Sequence, residues 1–456
     1  MSSEQVLGPL LPQLRVTPPG PASRALAERL RAVESRNITF VADDWPVFWD
    51  EAVGSNVRDA DGNVYLDLTG GFGVALLGHS CPAVVAAVRE QAGRLMHGMG
   101  DVHPPTLKVE LLERLAELAP WDGARGVLAA TGSEAVEIAL KTTHIATGRP
   151  GIIAFEGGYH GLTMGSLAVT SRELFRGPFE DRLYRGVAFA PFPEPWRSGA
   201  PSADACLSRI AELLVTGAPN GDPIGTLVVE PIQGRGGVRI PPHGFMAELS
   251  TLAADADVLV IADEVLTGMG RCGPTFASEL VGLRPDLVCI GKVLGAGMPI
   301  SACLGRPAVM KAWPESRGEA IHTSSFLGHP LACAAATAAL DWAGPEARAV
   351  DVSERGARLL QLLQRRLSET PGVGDVRGSG LLVGIELIEE DGGSRGVGAA
   401  ARVASAALEQ GLLVLPAGDH GHVVELTPAC VVTDEQMDFA VEALIGAIGQ
   451  ANVRGS

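Results

Sequence analysis

Between residues 126 and 306 the chain alternates two textures. Short, nearly unbroken apolar runs recur at Gly126–Ala130, Ile152–Phe155, Val187–Ala190, Thr226–Val229, Val258–Ala262, Leu287–Ile290 and Ala302–Leu304. Amphipathic stretches such as Glu134–Thr147 and Ala203–Leu214 separate them. A strand that is apolar along its whole length is buried on both faces, as happens in a mostly parallel sheet sandwiched between helices. The pattern predicts an α/β large domain built on a seven-stranded, mostly parallel sheet.

The flanks read differently. A polar, Pro-containing lead precedes a short helix over Ser23–Ser35. Val53–Thr69 reads as a hairpin, with a run to Arg58, the turn Asp59-Ala-Asp-Gly-Asn63 and the run Val64-Tyr-Leu66. Pro82–Leu95 has helical spacing with proline in the first turn. A long Ala-rich helix follows Ala332. Residues 345–456 then read as helix, strand (Leu381–Leu387), helix, strand (Leu412–Leu415), strand (Val423–Leu426) and helix, a smaller α+β domain. The expected division is residues 1–80 joining the small domain, 81–338 as the large domain, and 339–456 as the C-terminal small domain.

Composition narrows the function. The net charge of −17 repels nucleic acid and anionic membrane, so neither is expected as a partner. The seven cysteines are scattered without a CxxC pair, which implies free thiols in a reducing cytoplasm and no metal site. The first residues carry no basic segment ahead of an apolar run, and no apolar stretch is long enough to span a bilayer. Only four lysines occur, Lys108, Lys141, Lys292 and Lys311, so chemistry that needs a lysine amine has few candidates.

Lys292 directly follows the run Leu287–Ile290 and is flanked by Gly291 and by the glycines of Leu294-Gly-Ala-Gly-Met-Pro299. That places an amine at the carboxyl edge of the sheet, where ligands of open α/β folds bind, with backbone that a planar ligand can approach. A lysine after a strand is, by itself, more often a surface residue. Asp263 changes the weighing, because it ends the buried run Val258–Ala262. A carboxylate there is costly unless it meets a cation, although an aspartate also serves as a helix N-cap. Pyridoxal 5′-phosphate (PLP) supplies that cation in its protonated pyridine nitrogen, which keeps the ring an electron sink. Gly132 and Ser133, between a strand and a helix, suit a phosphate. In Phe155-Glu-Gly-Gly-Tyr-His-Gly161, Tyr159 suits stacking on a ring with Val265 on its other face. His160 fits a buried, hydrogen-bonded histidine as readily as a catalytic one.

The run Ile261-Ala-Asp-Glu-Val-Leu-Thr-Gly-Met-Gly-Arg-Cys-Gly273 resembles the signature of class III aminotransferases, PLP enzymes of fold type I. So do Gly291-Lys-Val-Leu-Gly-Ala-Gly-Met-Pro299, Glu230-Pro-Ile-Gln-Gly-Arg-Gly-Gly237 and Ser324-Ser-Phe-Leu-Gly-His-Pro-Leu-Ala332. The similarity runs from about residue 40 to 450. It implies a homodimer with shared active sites, Lys292 as Schiff-base lysine and general acid/base, and Asp263 on the pyridine nitrogen. It implies Gly132 and Ser133 on the phosphate, Tyr159 and Val265 around the ring, and Glu230 near the site. Ser325 falls where the family has a threonine that reaches the partner subunit's phosphate. Leu266 stands where many members have glutamine.

Many class III members grip a substrate carboxylate with the arginine of Arg-x-x-Pro-Pro-Leu. The matching stretch here is Val424-Glu-Leu-Thr-Pro-Ala-Cys430, so Glu425 takes the arginine's place. A carboxylate repels an acidic group and accepts hydrogen bonds from a cationic one, which points to an amine, amino alcohol or amino sugar, as in aminoglycoside biosynthesis. Glu425 pointing away to pair with an arginine is the structural alternative. Trp45, Phe48, Trp49 and Phe72 are candidates for the substrate entrance, although such aromatics are commonly core residues. The expected activity is transfer of an amino group between an amine and a keto acid. A PLP racemase or epimerase on the same scaffold would keep every cofactor residue.

Overall fold

A computed structural model describes residues 7–42, 44–342, 345–389 and 394–455; the polar lead therefore begins outside the described residues. The chain divides into two compact units, Pro82–Ser353 on one side and Met1–Cys81 with Glu354–Ser456 on the other. The second boundary falls inside the helix Pro345–Leu367.

Pro82–Ser353 is built on a seven-stranded sheet: β1 (Arg125–Ala129), β2 (Gly151–Phe155), β3 (Val187–Ala190), β4 (Ile224–Val229), β5 (Leu259–Asp263), β6 (Leu287–Ile290) and β7 (Ser301–Gly305). The order across the sheet is β1-β7-β6-β5-β4-β2-β3. Only β7 runs against its neighbours, β1 and β6; the remaining pairs are parallel. Each strand coincides with one of the apolar runs. Every residue of β4, β6 and β7 is buried, as two covered faces require.

The helix Gly132–Thr147 covers one face, with Ala135, Val136, Ile138 and Ala139 in a core with Val228, Ile261, Leu287 and Cys289. Its start is fixed by a capping box. Thr131 Oγ1 accepts from Glu134 N, and Glu134 Oε2 accepts from the N–H groups of Thr131 and Ala130, each 2.9 Å away. Its C-terminus ends on Gly148 in the left-handed conformation.

The second unit holds two four-stranded sheets. In the first, Asn56–Asp59 pairs antiparallel with Val64–Asp67 as the hairpin reading predicts, with Trp49–Val53 outside it and Leu412–Leu413 parallel to Val64–Asp67. The turn closes because Asp59 Oδ1 accepts from the N–H groups of Asp61 and Asn63, while Tyr65 donates to Asp59 Oδ2 at 2.7 Å.

The other sheet runs Val373–Ser379, Leu382–Leu387, Val423–Leu426, Leu415–Ala417. Two expectations change here. Val373–Ser379 is a strand that the pattern does not announce, because its glycines and charges hide it. It lies at a sheet edge, where Arg377 reaches across to Glu386 at 2.6 Å. The run Leu412–Leu415 divides between the two sheets instead of forming one strand.

All seven cysteines are buried, and no disulfide joins them among the described residues. No helix among the described residues is long and apolar enough to cross a membrane.

Candidate active site

The sheet topology carries distant residues to one edge. Strands β2, β4, β5 and β6 run parallel, so their carboxyl ends share a side. Asp263 ends its strand, and just beyond the others stand Tyr159 and His160, Glu230 and Lys292. Asp263 pairs in register with Cys289, three residues before Lys292. Because β7 reverses direction twice over, β1 also ends on this side, followed by Gly132 and Ser133.

Asp263 is 4% exposed, with one hydrogen bond on each carboxylate oxygen. Its Oδ2 lies 2.7 Å from His160 Nδ1, and its Oδ1 accepts from Val265 N at 3.1 Å. Since a carboxylate only accepts, His160 carries its proton on Nδ1. Burial pulls the His160 pKa down, but the hydrogen bond and charge of Asp263, with the charge of Glu230, outweigh it and hold the pKa above the ordinary value. The other ring nitrogen, Nε2, is buried without a hydrogen-bond partner. The backbone of His160 is pinned by its N–H to Thr170 Oγ1 at 2.9 Å.

Glu230 accepts from Tyr159 N and from Gly234 N, each at 3.0 Å. Burial, opposed by the nearby His160 and reinforced by Asp263, pushes its pKa up to about 7. The neighbouring Glu264 has a different task. It is enclosed by Thr267, Ser278 and the N–H of Ala277, and burial raises its pKa. That cage anchors the turn after Asp263.

Lys292 is half-buried and has φ +44, a left-handed backbone that costs a non-glycine residue roughly 1–2 kcal/mol. A 3-10 turn holds it, with Leu294 N donating to Gly291 O at 3.0 Å. Val265 ties the separate parts together. Its Cγ1 lies 2.8 Å from where a Cβ on Gly132 would sit and 3.4 Å from the same point on Gly291. Only glycine lets the helix start approach so closely. No protein group among the described residues accepts from the N–H groups of Gly132 or Ser133. Ser133 Oγ instead accepts from Leu162 N at 3.2 Å, and Ser301 Oγ secures Thr131 O at 2.6 Å.

These groups match in kind what PLP requires: an amine for its aldehyde, a buried acid for its pyridine nitrogen, a helix N-terminus for its phosphate, and Tyr159 and Val265 for its ring. The buried, unpartnered His160 Nε2 and the glycine-only approach at Val265 suit a pocket shaped for a ligand.

Residues 40–448 match the family model Aminotransferase class-III. The chain belongs to the class III aminotransferase family. The 4-aminobutyrate aminotransferase of Mycobacterium tuberculosis is 36% identical over 93% of this chain and 95% of its own. The alanine/serine racemase of Pyrococcus horikoshii is 32% identical over 96% of this chain and 92% of its own. Among solved structures, the omega transaminase of Pseudomonas jessenii in complex with PMP superposes with a TM-score of 0.86 at 27% identity, covering 94% of this chain and 98% of that one. This class III aminotransferase is a PLP enzyme.

The remaining candidate residues are Ser325, Trp45, Phe72 and Glu425. Ser325 is exposed, in the turn closed by Leu327 N to Ser324 O at 3.2 Å. Trp45, Phe72 and Glu425 belong to the other compact unit. Trp45 packs against a core of Val57, Tyr65, Leu408 and Leu413. Phe72 is 63% exposed with φ +62, held by a turn in which Asp67 Oδ1 accepts from Thr69 N at 2.7 Å. Glu425 lies on Val423–Leu426 opposite Gly384 and Leu415, 3% exposed, and its Oε2 makes no hydrogen bond. No arginine pairs with it among the described residues.

Glu134, Thr170 and Ser301 also hold the site in place. The Thr131-Gly-Ser-Glu134 spacing of a capping box was a readable signal for the first. No local signal marks Thr170 or Ser301, whose partners lie on other elements.

Proposed function

We propose that this aminotransferase moves an amino group between a cationic amine or amino-sugar substrate of aminoglycoside type and a keto acid. Glu425 is the observation that carries the reading. It stands on the strand where related sequences place a carboxylate-gripping arginine, and it is a buried carboxylate without a hydrogen bond on Oε2. Such a group is costly until a cation meets it. A cytoplasmic location accords with seven cysteines outside any disulfide. Exposed Ser325 suits the family's arrangement, in which that hydroxyl serves the second subunit of a homodimer.

When bound, PLP supplies an electron sink for the negative charge left on the substrate carbon by proton loss. Asp263 would pair with the pyridine nitrogen, and the His160 Nδ1–H holds the Asp263 carboxylate in orientation. Gly132 and Ser133 present backbone N–H groups to the phosphate. Tyr159 and Val265 would enclose the ring, and Glu230 fixes the Tyr159 backbone. The Lys292 amine takes the substrate proton and returns it to another carbon, as a general acid/base whose strained backbone limits where Nζ reaches.

A racemase or epimerase uses the same groups and returns the proton to the opposite face of the same carbon. The alanine/serine racemase relative favours that second reading.

The test is a half-reaction screen. PLP-loaded enzyme, without keto acid, is mixed in turn with neamine, a diamine, ornithine, glutamate and 4-aminobutyrate, and the cofactor's visible band is followed. Conversion to the pyridoxamine form by the cationic amines, and its loss in Glu425→Ala, supports the reading. Conversion by acidic amino acids alone overturns it. Exchange of a substrate α-proton with deuterium and no conversion establishes the racemase.

A further inference from the structure

The helix Gly132–Thr147 carries a second acid, Glu137, that its capping box does not use. Glu137 lies four residues after Ser133, so the two side chains stand on one face of the helix, a turn apart. The segment 161–166, which follows Tyr159 and His160, is laid along that face. Ser133 Oγ accepts from Leu162 N at 3.2 Å. Glu137 Oε1 accepts from Thr163 Oγ1 at 2.7 Å, from Gly165 N at 2.8 Å and from Ser166 N at 3.2 Å. The approach leaves no room for side chains on two of the segment's residues. A Cβ on Gly161 would overlap Ser133 Oγ, and one on Gly165 would overlap the Glu137 carboxylate.

Gly165 and Ser166 open the short helix Met164–Val169, whose first N–H groups have no partner within the helix. Thr163 precedes that helix without capping it, so Glu137 supplies the acceptor from a neighbouring element. Beyond the helix, Thr170 Oγ1 accepts from His160 N, and the His160 ring holds Asp263. Residues 160–170 therefore form a strap tied to the phosphate-suited helix start and to the buried carboxylate. The chemistry at Ser133 follows from this. A hydroxyl has one proton to give and two lone pairs to receive. Leu162 N–H occupies one lone pair, and no protein group among the described residues accepts the proton. The proton is left for an anion at the helix start. Its direction depends on where Leu162 N sits, and Glu137 grips the chain from the next residue onward.

We propose that Glu137 is a positioning residue for PLP: it clamps the strap to the helix and so, through Leu162 N, directs the Ser133 hydroxyl proton to the cofactor's phosphate. The assignment rests on the reading of Gly132 and Ser133 as the phosphate site. Charge alone predicts the opposite sign. A carboxylate one turn from a phosphate repels it, so deleting Glu137 would tighten PLP binding if its charge were the dominant effect.

The experiment uses full-length apoenzyme of wild type, Glu137→Ala, Glu137→Gln, Ser133→Ala and the Ser133→Ala/Glu137→Ala double variant. Each is dialysed to equilibrium with PLP and, separately, with pyridoxal, which has the same ring and aldehyde but no phosphate. Ser133→Ala is expected to weaken PLP binding about ten- to a hundredfold. Glu137→Ala should weaken it about five- to tenfold and leave pyridoxal binding within about twofold, which also shows that the ring pocket is folded. Glu137→Gln keeps an acceptor oxygen and should recover most of the loss. The double variant should bind PLP about as well as Ser133→Ala alone, because the clamp acts through the hydroxyl. Unchanged or tighter PLP binding in Glu137→Ala overturns the assignment. So does an equal loss of PLP and pyridoxal, or full additivity in the double variant. Failure of the phosphate reading is distinct: Ser133→Ala would then bind PLP as wild type does, and the role of Glu137 falls with it.

Discussion

His160 Nδ1 and Asp263 Oδ2 lie 2.7 Å apart, and the protein excludes solvent almost wholly from both. The pair is a buried charge assembled from two strands' ends, so removing one member leaves the other uncompensated. His160→Leu is expected to cost about 3–5 kcal/mol in urea unfolding of the apoenzyme. The raised His160 pKa sets the pH dependence. Its stabilisation is fully present below the unfolded value of about 6.5 and is lost as pH rises through the folded value. The gap between variant and parent should therefore narrow in alkaline buffer; a gap that widens there contradicts the pairing.

Glu230 has the same sign from a different cause. Burial lifts its pKa to about 7, so its favourable contribution holds below the unfolded value near 4.5 and disappears as pH rises through 7. The shift corresponds to about 3 kcal/mol. Unfolding of Glu230→Gln and wild type, compared at about pH 4.5 and pH 8, should show the difference moving by that order in the variant's favour. A pH-independent difference means that folding does not raise the Glu230 pKa.

Gly132 faces Val265 with no room for a methyl group. Gly132→Ala is expected to displace Val265 and the helix start at an overpacking cost of about 1–3 kcal/mol, weakening PLP binding roughly ten- to a hundredfold. Equilibrium dialysis of the cofactor measures this. An unchanged Kd separates the Gly132 turn from the phosphate site.

Lys292→Ala should leave the fold and PLP binding measurable, but abolish borohydride-reducible attachment of the cofactor to the chain. The amine half-reaction should fall by at least about 10²–10⁴. Retained covalent attachment would shift the role to Lys108, Lys141 or Lys311.

Ser325 is open to a second-subunit test. Hybrids of Ser325→Ala and Lys292→Ala chains are expected to contain one native-like site, with wild-type lysine and serine from different chains. PLP binding in hybrids no tighter than in the Ser325→Ala homodimer would confine Ser325 to its own chain.

The large unit was legible because burial on both faces writes itself into composition. Each strand is an apolar run, and Asp263, Glu230 and Lys292 stand at or just past the ends of three of them. The alternation therefore determined the sheet, and with it the common edge of Lys292, Asp263 and Glu230. Where a strand lies at an edge, as Val373–Ser379 does, solvent and cross-strand charge replace apolar burial, and the signal vanishes. Chain proximity cannot divide Leu412–Leu413 from Leu415–Ala417, because only pairing partners far along the chain decide which sheet each joins. The site follows the same rule. Residue types and their spacing announced the groups PLP requires. Yet the 2.7 Å contact of His160 with Asp263, the wedge of Val265 between Gly132 and Gly291, and the hydrogen bond from Tyr159 N to Glu230 all join elements remote in sequence. Long-range packing alone brings them together, and that packing sets their charge states.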